Sequence, residues 1–421
     1  MTEQPPIQLD AVTGRVTAEL LHRSHLMGLS DVVGALSEMA PLGASEVRVY
    51  LADLQQRQLA LLPGGEARGA EVLPIDSTLA GRAYQTLTVQ SAPLRGTGPA
   101  GAAYRVWVPL VDGTERLGVL GLAAADVGEA RLDSYRALAS LVAMMVAAKA
   151  SYSDAYAQVQ RSREMALQAE LVWSLLTPRT LATDRVLVAA TLEPAYEAGG
   201  DAFDYSILGD HLQVSIFDAL GHDLSAGLLA SVGLASCRNT RRSGGSLTSI
   251  AARADDAIAE SFGQDRFVTA LLCDLDLVTG LFSWIPAGHP PPLLIRGNRT
   301  VRELTRPARP PLGLARLYAQ NARLPDSPVP DAPHTERLEP GDRLLLYTDG
   351  VTEGRAADGA PFGLEGLADF VIRHCSAGLP APETMRRLNH AILDYQQGRL
   401  RDDATVVLVE WQPRHPGRLT P

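Results

Sequence analysis

The stretch Glu197–Asp223, EAGGDAFDYSILGDHLQVSIFDALGHD, places lone carboxylates where apolar runs begin or end. Asp201 follows a Gly-Gly pair after a strand and loop, and Asp218 closes the run VSIF. The pattern recurs further on. Asp349 ends LLLYT, and Asp402 and Asp403 immediately precede ATVVLVEW. A single Asp at a strand end is ordinary turn or cap chemistry. Here there is a set. If these strands are neighbours, their carboxylates converge at one edge of the core, and converging carboxylates need a counter-charge. Oxygen-only ligation without His or Cys favours Mg²⁺ or Mn²⁺ over Zn²⁺. A shared central carboxylate could bridge two such ions.

Composition removes several alternatives. The chain has 421 residues, long enough for two or three domains, and 46% hydrophobic residues, enough for a sizeable core. A net charge of −10 argues against general nucleic-acid binding, which needs clustered Lys and Arg. Lys149 is the only lysine, so no GxxxxGK[ST] phosphate loop exists and protein-kinase chemistry is excluded. Cys237, Cys273 and Cys375 have neither zinc nor disulfide spacing. The apolar run from Ala137 is too short to span a bilayer, and the first ten residues lack the features of a signal peptide. These features predict a soluble, cytoplasmic protein with no membrane or nucleic-acid partner.

Patterning divides the chain into an α/β domain over 1–150, a helical linker over 151–179, a second α/β domain over 180–412 and a tail over 413–421. In the first domain, residues 13–40 have helical spacing and SEVRVYLADLQQRQLALLP alternates as a hairpin. LPIDSTLAGRAYQTLTVQ reads as strand, helix and strand, with Asp76 or Ser77 as the helix cap. RVWVPLVDGTERLGVLGLAA reads as two strands around DGTER. This order resembles a GAF domain, which implies a sensor that often dimerises; its ligand is not specified by the sequence. His22 and His25 read as solvated side chains. No Pro or Gly interrupts Leu132–Leu176, and Tyr152, Tyr156, Val159, Ala166 and Trp173 fall near a heptad seam. That predicts a coiled-coil signalling helix pairing with its twin in a homodimer.

In the second domain, strands cluster at both ends with helix pairs between them, as in two sheets covered by helices. EAGGDAFDY, FDALGHD, VTAL, PAGHPPPLL, LLLYTDGVTEGR, PFG and RDDATVVLV occur here in one order. Together they resemble the SpoIIE/RsbU-like branch of the metal-dependent protein phosphatases (PPM). The resemblance implies a β-sandwich flanked by helices and a serine/threonine phosphatase using two divalent ions, Mn²⁺ or Mg²⁺. It implies that Asp218 bridges the ions and that the backbone carbonyl of Ala219 adds a ligand. Asp349 and the Asp402/Asp403 pair complete the set, Asp402 being preferred from the strand start, and Asp201 binds directly or through water. His222 is a candidate proton donor to the leaving serine oxygen, and His289 is read as structural.

The loop Ala219–Asp223 departs from the usual Val-Ser-Gly-His-Gly and places an extra carboxylate, Asp223, near the site. The implied reaction is in-line attack by a metal-generated hydroxide on phosphoserine or phosphothreonine. The implied partner is a phosphorylated regulatory protein such as a STAS-type anti-anti-sigma factor, with the GAF-like domain as regulator. The altered loop motivates an alternative, a pseudo-phosphatase that grips a phosphoprotein without turning it over.

Overall fold

A computed structural model of the chain describes residues 11–36, 44–64, 71–94, 101–263, 265–297, 299–320, 332–356, 359–398, 400 and 402–412. The first ten residues and the tail over 413–421 lie outside the described residues. The chain divides into two compact units between Arg163 and Glu164.

The first unit opens with helices α1 (Ala11–Ser24) and α2 (Leu29–Leu36). Strands β1 (Ala44–Ala52), β2 (Gln58–Leu61) and β3 (Val72–Pro74) follow, then α3 (Leu79–Thr86). The unit ends with β4 (Gln90–Pro93), β5 (Tyr104–Asp112), β6 (Glu115–Ala124), α4 (Glu129–Ala150) and α5 (Asp154–Gln160). Its antiparallel sheet has the order β3-β2-β1-β6-β5-β4. Alternation splits the side chains of β1 between two cores. Val49 and Leu51 join α1, α2 and α4 on one face, and Tyr50 and Ala52 join α3 on the other. The helix cap expected at Asp76 or Ser77 is instead Thr78, whose hydroxyl accepts from the Gly81 amide. His22 and His25 are exposed.

The continuous helix expected over Leu132–Leu176 does not form. It is broken at extended Ser153 and Arg161, and the next helix starts only after extended Ala166. The residues assigned to a heptad seam are used elsewhere. Tyr156 and Val159 pack on the core of the first unit, and Trp173 packs on that of the second.

The second unit begins with α6 (Leu167–Leu175), β7 (Thr180–Ala182), β8 (Val186–Glu193), β9 (Asp201–Leu208) and β10 (His211–Ala219). Next come α7 (Leu224–Arg242), α8 (Leu247–Phe262), β11 (Val268–Asp276), β12 (Leu281–Ala287), β13 (Leu293–Arg296) and β14 (Thr300–Glu303). After α9 (Ala315–Gln320) come β15 (His334–Arg337), β16 (Arg343–Tyr347), α10 (Asp349–Thr352), α11 (Gly363–Ser376), α12 (Ala381–Tyr395) and β17 (Ala404–Trp411). Two antiparallel sheets result, ordered β15-β12-β11-β10-β9 and β14-β13-β16-β17-β8-β7. Leu344, Leu346, Val407 and Val409 share a core with residues of the first sheet such as Ile216 and Leu271. Their neighbours Leu345, Tyr347, Val406 and Leu408 pack under α11 and α12. Helices α7 and α8 share the core of the first sheet. This is a β-sandwich flanked by helix pairs, as the patterning predicts. Helix α6 belongs to it: Val172 is buried, and the Trp173 indole N–H donates to the Ala195 carbonyl at 2.7 Å. Among the described residues, no helix is long and apolar enough to cross a membrane.

Candidate metal centre

Strand register assembles the site. In the antiparallel pairs, Asp218 lies directly opposite Asp201 on β9 and opposite Thr269 on β11. Directly opposed residues share a face. That face looks toward the other sheet, because the Asp201 carboxylate meets Thr348 and Thr405 there. Both hydroxyls donate to its Oδ2 at 2.7 Å. Asp204 has the opposite parity and serves structure: Arg238 and Arg241 of α7 bind its carboxylate at 2.6 and 2.7 Å.

The second sheet contributes the remaining acids. Asp349 follows β16 at the start of α10, and Asp402 and Asp403 immediately precede β17. Asp402 and Asp403 differ sharply. Asp403 is buried, and its Oδ2 accepts from the amides of Gly199, Gly200 and Asp201 at 2.8, 2.6 and 3.2 Å. It therefore clamps the Gly-Gly-Asp loop onto β17. Asp402 is exposed, and its Oδ1 accepts only a local bond, from the Asp403 amide at 3.0 Å.

Two glycines allow close approach between chain segments. A Cβ at Gly200 would stand 2.5 Å from the Gly221 carbonyl oxygen and 2.9 Å from that of Ala219. One at Gly350 would stand 2.0 Å from the Asp403 carbonyl oxygen. The requirement at these positions is for backbone to pass backbone.

The electrostatics are those of gathered negative charge. Asp218 is half-buried, and its carboxyl is pushed up to about 7 by burial and then by Asp349, Asp402 and Asp403. Asp349 is raised by burial, Asp402 and Glu353. Asp201 is raised by burial, Asp403 and Asp218, against the opposing pull of the two threonine hydroxyls. Asp403 is raised by burial, although its three amide bonds oppose the shift. Among the described residues, no three His, Cys, Asp or Glu side chains form a closed ligand set. The donor set is oxygen-only, which fits a hard divalent cation.

The other residues singled out in the sequence lie close by in the chain. Ala219 is buried at the end of β10, its carbonyl oxygen against Gly200. His222 is exposed on the loop to α7. Asp223 caps α7, its Oδ1 accepting from the Ala226 amide at 2.9 Å, so its carboxylate has a helix-capping task. Thr269, Thr348 and Thr405 were not anticipated as site residues, although each sits inside a quoted motif: VTAL, YTDG or DATV.

Residues 209–412 match the family model described as Stage II sporulation protein E (SpoIIE). This segment is a SpoIIE-type domain. Among curated proteins, the chain is similar to "Phosphoserine phosphatase RsbU" of Bacillus subtilis (strain 168), with 21% identity over 66% of this chain and 80% of that protein. It is also similar to "Phosphoserine phosphatase RsbP" of the same organism, with 25% identity over 48% of each chain. Among solved structures it resembles the RsbU and RsbW domains of Rv1364c from Mycobacterium tuberculosis. That match has 25% identity and a TM-score of 0.46, covering 55% of this chain and 63% of the other. The acids from Asp218 onward lie inside the matched SpoIIE-type segment, and Asp201 lies just before it.

Proposed function

We propose that the chain is a Mn²⁺- or Mg²⁺-dependent protein serine/threonine phosphatase. Its substrate is phosphoserine or phosphothreonine on a regulatory protein, with a STAS-type anti-anti-sigma factor as the candidate. The observation that carries this reading is the setting of Asp218: it lies opposite Asp201, whose Oδ2 is held by hydroxyls of the second sheet, and burial and then three other carboxylates raise it.

In this reading Asp218 would be the central residue holding the divalent ions. Half-buried Asp349 and exposed Asp402 would complete the set, and the Ala219 carbonyl would add a backbone ligand. Asp201 contributes its second oxygen, since two hydroxyls hold Oδ2. Asp403 is a positioning residue, because one of its oxygens is committed to three amides. Bound divalent ions supply Lewis acidity, which lowers the pKa of water and neutralises phosphoryl charge. The protein's share is to fix the acids on rigid strand ends and exclude bulk water from Asp201. His222 is the candidate proton donor to the leaving oxygen; unchanged turnover and pH profile in His222→Gln would remove it from that role.

The N-terminal unit is proposed as a GAF-like sensor regulating this activity, in a chain that pairs with a second copy. Light scattering on the full chain tests the pairing, and a monomer at assay concentrations would count against it. The activity is tested by manganese-dependent hydrolysis of an aryl phosphate by the full chain, beside Asp218→Ala and Asp349→Ala. Metal-dependent turnover that collapses in both variants is expected. Manganese binding without turnover would point instead to a phosphoprotein-binding pseudo-phosphatase.

A further inference from the structure

Beside Asp218 runs a chain of hydrogen bonds that the reading above leaves unused. His289 is buried, on the loop after β12. Its Nε2 lies 3.0 Å from the Tyr347 carbonyl oxygen, and its Nδ1 lies 2.9 Å from Thr269 Oγ1. Thr269 Oγ1 in turn stands 3.4 Å from Asp218 Oδ2.

The proton count fixes the direction of this chain. A carbonyl oxygen only accepts, so His289 Nε2 carries a hydrogen and donates it to Tyr347. Burial holds the ring far below the usual histidine range, at about 3, so it is neutral at physiological pH. In a neutral ring with hydrogen on Nε2, Nδ1 is an acceptor. The single hydrogen of Thr269 therefore goes to Nδ1 at 2.9 Å rather than to Asp218 at 3.4 Å. Toward the acid cluster, Thr269 presents only lone pairs. With a cation holding Asp218 ionised, Thr269 Oγ1 and Asp218 Oδ2, 3.4 Å apart, are both acceptors.

We infer that His289 holds Thr269 as an acceptor-only hydroxyl, so that Thr269 and Asp218 together receive the two hydrogens of one water molecule at the metal centre. The oxygen lone pairs of that water are left for the ion. His289 and Thr269 are thus positioning residues for a water ligand. The inference rests on the metal-centre reading above.

The test is calorimetric titration of the full chain with Mn²⁺, using wild type, Thr269→Ser, Thr269→Val and His289→Phe. Thermal unfolding in chelator is run alongside to establish that each variant folds. Thr269→Val is nearly isosteric and removes the hydroxyl, both the acceptor facing the acid cluster and the donor to His289 Nδ1; its Mn²⁺ affinity is expected to fall about tenfold, the usual loss when an outer-shell partner is removed. Thr269→Ser restores the hydroxyl and is expected to stay within about twofold of wild type, a margin well inside that loss. His289→Phe frees the threonine hydrogen to turn toward Asp218 and is expected to weaken binding as Thr269→Val does. Wild-type affinity in Thr269→Val, or a Thr269→Ser as weak as Thr269→Val, overturns the inference while leaving the metal centre standing. Absence of Mn²⁺ binding by the wild type overturns both.

Discussion

At the scale of single residues, adjacent aspartates have different environments and separable consequences. Asp403→Ala strands three backbone amides in a buried loop. A loss of about 2–4 kcal/mol in urea unfolding is expected, since buried donors without partners carry their full desolvation cost. Asp402→Ala removes an exposed side chain with one local bond and is expected to stay within about 0.5 kcal/mol of wild type. Its effect belongs in Mn²⁺ affinity instead. A reversed pattern would exchange the roles proposed for the pair. Asp218 gives a pH signature. Its folded-state value, about 7, lies above the ordinary carboxyl range, so its contribution to stability is full under acid conditions and is lost as pH rises through about 7. Metal-free Asp218→Asn is therefore expected to be more stable than metal-free wild type at pH 8, by about 1–2 kcal/mol. The advantage should shrink toward pH 5 and reverse once Mn²⁺ stabilises only the wild type.

Among the elements, the sandwich strands were readable because each carries an unbroken apolar run bounded by turns. The convergence of Asp201, Asp218, Asp349 and the 402–403 pair followed from one rule, a carboxylate at each strand end. What periodicity could not supply was the partner of each oxygen. The strand start favours Asp402 over Asp403 as a ligand, but only the path of the Gly199–Gly200 loop past β17 shows what Asp403 does instead. The three threonines were hidden for the same reason, since a hydroxyl in a strand is commonplace until its register is known. Helix patterning misled over Leu132–Leu176, where helix-forming composition suggested a coiled coil. Tyr156 and Val159 are drawn into one core, and Val172 and Trp173 into another. Asp223 illustrates local chemistry prevailing over proximity to the site: it caps α7. Asp223→Ala is expected to cost about 1 kcal/mol in thermal or urea unfolding, as cap removal does. Turnover of an aryl phosphate should stay within about twofold, because a 1 kcal/mol loss leaves a stable domain folded.

For the whole molecule, the division at Arg163/Glu164 assigns α6 to the sandwich unit. Fragment 164–421 keeps the buried Ala169 and Val172 and the Trp173–Ala195 bond, whereas fragment 180–421 loses them. The longer fragment is expected to unfold cooperatively and to retain metal-dependent turnover. The shorter one should melt several degrees lower, since losing even 1–2 kcal/mol of packing moves the midpoint of a domain this size by roughly 2–8 °C. Equal melting temperatures would show that α6 contributes nothing to the unit. The strand order carries a further consequence for how the molecule is made. Among the described residues β17 is the last strand, yet it lies between β16 and β8 in its sheet. On the ribosome, that sheet must wait with its middle place empty until residues 402–411 emerge. Asp402 and Asp403 arrive with that strand, so a nascent chain has a nearly complete set of strands before it has a site. If the proposed metal centre is the site, activity is expected only once this strand has emerged, by topology alone.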